Sequence, residues 1–294
     1  MTVDTWKKLW WRYRFNSDVT VDIENETCSW KGQTYEDLLK VAALLSEHVL
    51  SKAARIMKID KGNGTFRYVY SANDLYKSIL QDKLPYLEGL LNKADPRGMF
   101  HAFRSNKNAV TNARAHIGFG YSAKFDMKSF FDHVKPGMVN DKIPHLIDLT
   151  FIDGAPRQGL PTSPLIASLA MQPIAYGVDD ALKKIIKGKY AITCYADDLT
   201  ISFHHRMQYE DIKELVYKHI KAADLQINYK KTALKFGHKK GMRRIICGIA
   251  VGKTNIYRTR ATKHAIRKAL YNSENSKALG LMEWARCKVP RSIR

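Results

Sequence analysis

Tyr190-Ala-Ile-Thr-Cys-Tyr195-Ala196-Asp197-Asp198-Leu199-Thr-Ile-Ser-Phe203 is the stretch on which the reading of this chain turns. Tyr190–Cys194 and Leu199–Phe203 are rich in β-branched and aromatic residues and read as strands. Tyr195-Ala196-Asp197-Asp198 between them reads as a tight acidic turn, because Asp tolerates turn backbone. Two adjacent carboxylates therefore stand at the tip of a hairpin. Ionising both is costly unless a cation sits between them and a further acid. Mg2+, a hard ion commonly shared between carboxylates and substrate phosphates, suits that task.

The further acid lies upstream. Tyr121-Ser-Ala-Lys-Phe-Asp126 reads as a short strand ending on Asp126, followed by Met127-Lys-Ser-Phe-Phe131. An isolated Asp-Asp pair is ordinarily a solvated turn, and a lone strand-end Asp is ordinarily structural. Two acidic strand tips about 70 residues apart, with a Gly/Pro-rich loop and an apolar helix between them, instead suit a two-metal site for in-line phosphoryl transfer.

The charge balance agrees. Lysine and arginine number 49 against 28 acids in 294 residues, a net charge of +21. So large an excess points to a polyanion, and nucleic acid is the natural one. The bases are spread along the chain, as for a long charged channel. Cys28, Cys194, Cys247 and Cys287 are far apart, which argues against a zinc site or disulfide framework. No apolar run reaches about 18 residues, so no membrane span is expected. The first residues lack an apolar signal core, and a reducing cytoplasm fits.

Along the chain, Trp6, Leu9, Trp10 and Tyr13 share one helical face, which suits packing better than base stacking. A helix is predicted over Thr34–Ile59, a turn over Lys61–Thr65, a strand over Phe66–Tyr70 and a helix over Asp74–Leu91. Pro96–Val110 reads as loop, with Phe100, His101, Phe103, Arg104 and Lys107 interleaved; Asn112 and His116 follow, four apart. Helices are predicted over Pro136–Phe151 and over Leu165–Ile186, the second kinked at Pro173, with a turn-rich loop from Asp153 to Pro164 between them. Beyond the acidic hairpin come an amphipathic helix (Glu210–Asp224), strands over Ile227–Phe236 and Arg244–Val251, and basic helices over Thr262–Tyr271 and Lys277–Arg286.

These motifs, in this order, resemble the reverse transcriptases over roughly residues 66–290, and within them the bacterial retron type. Tyr195-Ala-Asp-Asp198 is similar to the catalytic box. Phe125-Asp-Met-Lys-Ser-Phe-Phe131 is similar to the first catalytic motif, and Arg157-Gln-Gly-Leu-Pro-Thr-Ser-Pro164 to the loop between the two. Arg67–Leu80 resembles the fingers motif and Leu225–Thr232 the motif after the hairpin. Asn112-Ala-Arg-Ala-His116 resembles a retron-specific box. Ile246-Cys247-Gly248 stands where that type carries Val-Thr-Gly and differs at two of the three positions.

The resemblance implies an α+β right-hand polymerase. An N-terminal helical extension (1–59) would precede fingers (60–125 and 140–160), a palm of antiparallel sheet backed by helices (126–139 and 161–254) and a small helical thumb (255–294). It implies an RNA-directed DNA polymerase using two Mg2+ ions, with Asp126, Asp197 and Asp198 catalytic and the Met127 carbonyl an additional ligand. Arg67, Gln158 and Gly159 would line the dNTP pocket. Phe131 would lie under the sugar and exclude a 2′-hydroxyl. Asn112, His116, Lys230, Lys231, Arg243, Arg244, Arg258, Lys263 and Arg267 would contact nucleic acid. The implied partners are a structured noncoding RNA as template and primer, its branched RNA–DNA product (msDNA), dNTPs and an effector protein held in check within an anti-phage unit.

Overall fold

The computed structural model describes residues 20–22, 27–29, 54–60, 62, 64–236 and 243–288. In chain order the strands are β1 (Thr20–Asp22), β2 (Thr27–Ser29), β3 (Ala54–Asp60), β4 (Phe66–Ala72), β5 (Tyr121–Asp126), β6 (Ala191–Tyr195), β7 (Asp198–Phe203), β8 (Ala233–Phe236), β9 (Arg244–Ile246), β10 (Ile249–Val251) and β11 (Ile256–Arg258). The helices are α1 (Asp74–Asp82), α2 (Leu84–Ala94), α3 (Ala109–Arg114), α4 (Phe130–His133), α5 (Ile147–Thr150), α6 (Ser163–Ile185), α7 (Gln208–Ala222), α8 (Arg260–Tyr271) and α9 (Asn275–Ala285). The chain divides into two units, residues 1–89 with 134–166 and residues 90–133 with 167–294.

In the first unit β3 and β4 form an antiparallel hairpin whose turn uses Gly62 and Gly64 at positive φ. The predicted turn and second strand are present. The predicted helix over Thr34–Ile59 is corrected at its end, where Ala54–Ile59 pairs with β4; Ile56 and Ile59 go to strand because the partner supplies a ladder. The helical reading of 1–59 is corrected again at β1 and β2, which pair antiparallel. The Trp6–Tyr13 face and the helical reading of residues 34–53 lie outside the described residues.

Tyr76, Leu80, Ile152 and Leu160 form one buried cluster of this unit. The predicted helix Asp74–Leu91 is two helices, broken at Lys83, because Pro85 cannot donate to the preceding turn. The predicted helix Pro136–Phe151 is likewise divided. Pro136 and Pro144 each open a single 3-10 turn, and only Ile147–Thr150 is α-helical. Pro144 drives Ile143 out of the helical region.

The second unit is built on a four-stranded antiparallel sheet in the order β6-β7-β5-β8. Alternation along its strands separates two faces. Ala123, Phe125, Leu199, Ile201 and Phe203 make the apolar face, all buried, and Phe125 meets Tyr217 of α7 edge-on at 6.2 Å. Ser122, Lys124, Asp126, Asp198, Thr200 and Ser202 alternate with them and form a polar face. The free edge of β6 is covered by the loop after α2: Cys194 N–H donates to Met99 O at 2.8 Å, and His101 N–H to Cys194 O at 3.0 Å. The buried Asp95 carboxylate ties that loop down through the Met99 and Phe100 amides and Arg104.

Two expected strands differ from the structure. Ile227–Phe236 is strand only over β8, because Asn228 turns the chain, accepting from the amides of Lys231 and Thr232. Arg244–Val251 is a hairpin. Cys247 (φ 47°) and Gly248 (φ 77°) are left-handed in succession, the backbone of a two-residue type I′ connection between β9 and β10. α3 packs on that hairpin through Ala109, Val110 and Ala113 against Ile246, Ile249 and Val251.

Candidate active site

Asp126 ends β5 and Asp198 begins β7, and the two are Cα partners in the ladder. Asp197 occupies the turn between β6 and β7 after Ala196, which takes the left-handed conformation (φ 55°). Its carbonyl accepts from the Met127 amide at 3.0 Å, stitching the acidic turn to the residue after Asp126. The Asp126 carbonyl in turn accepts from the Asn228 amide at 2.8 Å. The backbone thus brings all three predicted acids to one corner of the sheet.

Cations neutralise that corner. Lys124 Nζ lies 2.8 Å from Asp198 Oδ2 and 3.9 Å from Asp126 Oδ1, and Lys231 Nζ lies 3.4 Å from Asp126 Oδ1. Burial raises the pKa of Asp198 to about 6 despite its bond to Lys124. Burial, with Asp126 nearby, also raises that of Asp197. Burial alone would lower the pKa of Lys124, but Asp198, Asp126 and Asp197 outweigh it and the net shift is upward. Asp126 Oδ2 and Asp198 Oδ1 are buried without a hydrogen-bond partner among the described residues.

A buried, unpaired carboxylate oxygen is expensive. Two at one corner, both hard donors, fit a divalent cation such as Mg2+. As the side chains stand, no three His, Cys, Asp or Glu among the described residues form a ready-made cage, and the Lys124 ammonium holds the position between the acids.

The far end of the same polar face is a closed hydrogen-bond network. His116 bonds Ser202 Oγ through Nδ1 (2.8 Å) and Thr193 Oγ1 through Nε2 (2.7 Å). Arg244 donates to Ser122 Oγ (2.8 Å), Ser202 Oγ (3.2 Å) and the His116 carbonyl (2.6 Å). Desolvation, with Arg244 and His101 adding to it, lowers the pKa of His116 to about 3, so the ring is neutral. Asn112 donates to Cys247 Sγ at 3.3 Å. Asn112, His116 and Arg244 were expected to contact nucleic acid. The structure corrects this: they are 0%, 0% and 2% exposed and committed to internal bonds.

The other expected residues divide as follows. Phe130 is the buried ring of α4, while Phe131 beside it, 6.0 Å between centroids, is partly exposed. Lys230, Lys231, Arg243, Arg258, Lys263 and Arg267 are exposed, and the Arg243 guanidinium stacks 3.6 Å over the Tyr257 ring. Arg67, Gln158 and Gly159 lie in the first unit. Arg67 is exposed on β4. The Gln158 carbonyl accepts from the Tyr70 amide at 2.7 Å. Gly159 sits at φ 105°, where a Cβ would overlap the Tyr70 carbonyl oxygen.

Lys124, Ser122, Thr193 and Ser202 escaped the sequence reading. The signal for Ser122, Lys124 and Ser202 was the polar alternation Ser122-x-Lys124-x-Asp126 against Asp198-x-Thr200-x-Ser202, which marks a wet or functional sheet face.

Residues 150–281 match the family model described as reverse transcriptase (RNA-dependent DNA polymerase), a span that holds Asp197 and Asp198 but not Asp126. Among curated proteins the chain is similar to the Retron Ec48 reverse transcriptase of Escherichia coli, 24% identical over 219 residues, 65% of this chain and 51% of that protein. The chain therefore spans about half the length of that relative. Among solved structures it is similar to apo telomerase from Candida tropicalis truncated from its C-terminal domain (TM-score 0.51, 11% identity, 82% of this chain and 63% of that one). It is also similar to telomerase from Candida albicans bound to a fragment of telomeric RNA (TM-score 0.50, 13% identity, 86% and 55%). At these identities the structural matches establish the fold, a right-hand polymerase of mixed helix and antiparallel sheet. The family match over residues 150–281 and the retron relative are both similarities to reverse transcriptases.

Proposed function

We propose that the chain is an RNA-directed DNA polymerase that joins a deoxynucleotide to a primer hydroxyl opposite an RNA template. The hydroxyl oxygen bonds to the α-phosphorus, the α–β bridge breaks and pyrophosphate leaves. One observation carries the reading: the Asp126–Asp198 ladder pair with Asp197 in the adjoining turn, two of whose buried oxygens lack a partner among the described residues. Asp126, Asp197, the Met127 carbonyl and, less directly, Asp198 would hold two Mg2+ ions. Bound there, they would acidify the attacking hydroxyl and offset charge on the leaving group.

The remaining roles belong to the protein's own groups. Lys124 and Lys231 offset the negative charge of the acids and hold their carboxylates in place. Phe131 presents a partly exposed ring, suited to rejecting a 2′-hydroxyl. Arg67 offers a planar fork to the triphosphate, and Gln158 and Gly159 an irregular backbone to the nucleotide. Lys230, Arg243, Arg258, Lys263 and Arg267 supply charge for the phosphate backbone. Fingers would span 60–125 and 140–160, palm 126–139 and 161–254, and thumb 255–294.

As a retron enzyme it would copy its own structured noncoding RNA, priming from a 2′-hydroxyl to give a branched RNA–DNA product that restrains an effector during phage defence. The similarity to the Ec48 enzyme supports this system. The test is primer extension on an RNA template, with sequencing of nucleic acid that copurifies. Asp126→Asn and Asp197→Asn should each cost about a thousandfold or more in rate, a loss of several kcal/mol of charge stabilisation. Wild-type protein that incorporates no dNTP overturns the polymerase; copurifying RNA without a branched DNA overturns the retron assignment.

A further inference from the structure

We infer that Asn112 is a positioning residue for the nucleotide that carries the attacking hydroxyl, acting through the Cys247–Gly248 turn. The inference rests on the polymerase reading.

A cavity of about 240 Å3 lies beside the acidic corner, lined by Asp198, Lys124, Thr200 and Lys235 and closed by the Cys247–Gly248 turn. Two ammonium groups, a hydroxyl and a carboxylate suit a sugar-phosphate: cations for the phosphate, and Asp198 on the side where the hydroxyl reacts. The turn that walls the cavity is held in an unfavourable backbone, since Cys247 is left-handed at φ 47°. That conformation costs a non-glycine residue about 1 kcal/mol or more.

Asn112 is the side chain placed to keep it there. It is fully buried on α3, which packs on β9 and β10, and its amide donates to Cys247 Sγ at 3.3 Å. Its Oδ1 has no partner among the described residues, so local satisfaction alone does not account for an amide there. His116, four residues on, bonds Ser202 and Thr193, and Arg244 of β9 donates to Ser122 and to the His116 carbonyl, so both ends of the contact are anchored to the sheet. Asn112 does not itself line the cavity and bonds Cys247, which does, so its effect must pass through the shape of the turn.

The test is steady-state extension of a DNA primer annealed to an RNA template, with wild type, Asn112→Ala, Cys247→Ala, their double variant and Cys247→Ser. Each alanine variant should raise KM for primer–template about fivefold, the scale of one hydrogen bond, with kcat within about twofold. The double should be no worse than either single, because both remove the same link. Cys247→Ser, which keeps an acceptor, should lie within about twofold of wild type. Independent, multiplying effects, an unchanged KM, or a loss confined to kcat would overturn the inference. If Asn112→Ala does not fold, the two Cys247 variants decide. Wild-type protein that extends no primer would instead sink the polymerase reading beneath it.

Discussion

Lys124 and Asp198 lie diagonally across the β5–β7 ladder: Lys124 faces Thr200, yet its ammonium reaches Asp198 Oδ2 at 2.8 Å. Diagonal neighbours on one sheet face are within reach of a long side chain. The pair leaves Asp198 with one satisfied oxygen and one buried without a partner among the described residues.

Lys124→Gln should therefore destabilise the metal-free protein by about 1–3 kcal/mol, because a largely buried carboxylate loses its counter-ion. Added Mg2+ should raise the melting temperature of the variant more than that of wild type. Calorimetric scans with and without Mg2+ check this; equal shifts would remove Lys124 from the electrostatics of the corner.

His116 sets an acid limit. Its pKa is depressed to about 3, against about 6.5 unfolded. The stabilisation from keeping it neutral is complete above pH 6.5 and is lost as pH falls toward 3. His101, depressed to about 4 mainly by burial, acts in the same direction, whereas the raised Asp198 opposes both between its unfolded value and about 6. Urea unfolding of wild type and His116→Gln from pH 7 to 4 isolates the histidine. The stability of the variant should fall less steeply, by up to about 1.4 kcal/mol per pH unit.

Gly159→Ala should destabilise the protein by about 2–4 kcal/mol, since φ 105° is closed to a side chain and the Tyr70 carbonyl blocks the Cβ. A urea midpoint near that of wild type would show that the loop can move off β4.

Phe131→Ala should admit ribonucleotides. Discrimination between dNTP and NTP, measured as the ratio of kcat/KM values, should fall about tenfold or more while dNTP use persists. An unchanged ratio would assign the ring to packing with Phe130.

Replacing Arg258, Lys263 or Arg267 with Gln should flatten the salt dependence of RNA binding. For each base that neutralises a phosphate, its removal should lower the slope of log K against log salt by about 0.7–0.9. Parallel slopes would leave these bases as solvated surface.

The acidic hairpin, the strand ending on Asp126, the buried helix after the Pro-rich loop and the amphipathic helix beyond were legible in the residues, because alternation, helical periodicity and turn chemistry are local. The breaks at Pro85 and Pro144 were also written there, as prolines whose cost to a helix outweighs apolar periodicity. Two things needed the tertiary structure. One is the reversal at Cys247–Gly248, where a run of β-formers looks the same as one strand or as two. The other is the fate of Asn112, His116 and Arg244, polar residues whose types suit nucleic acid equally well. Hydroxyls from three separate strands meet His116 and Arg244, and the Cys247 thiol meets Asn112, a coincidence of register that no local pattern encodes. The sequence determined which acids exist and that each ends or begins a strand; only the pairing of β5 with β7 decided that Asp126 and Asp198 stand opposite one another, because register is set by packing of the opposite, apolar face.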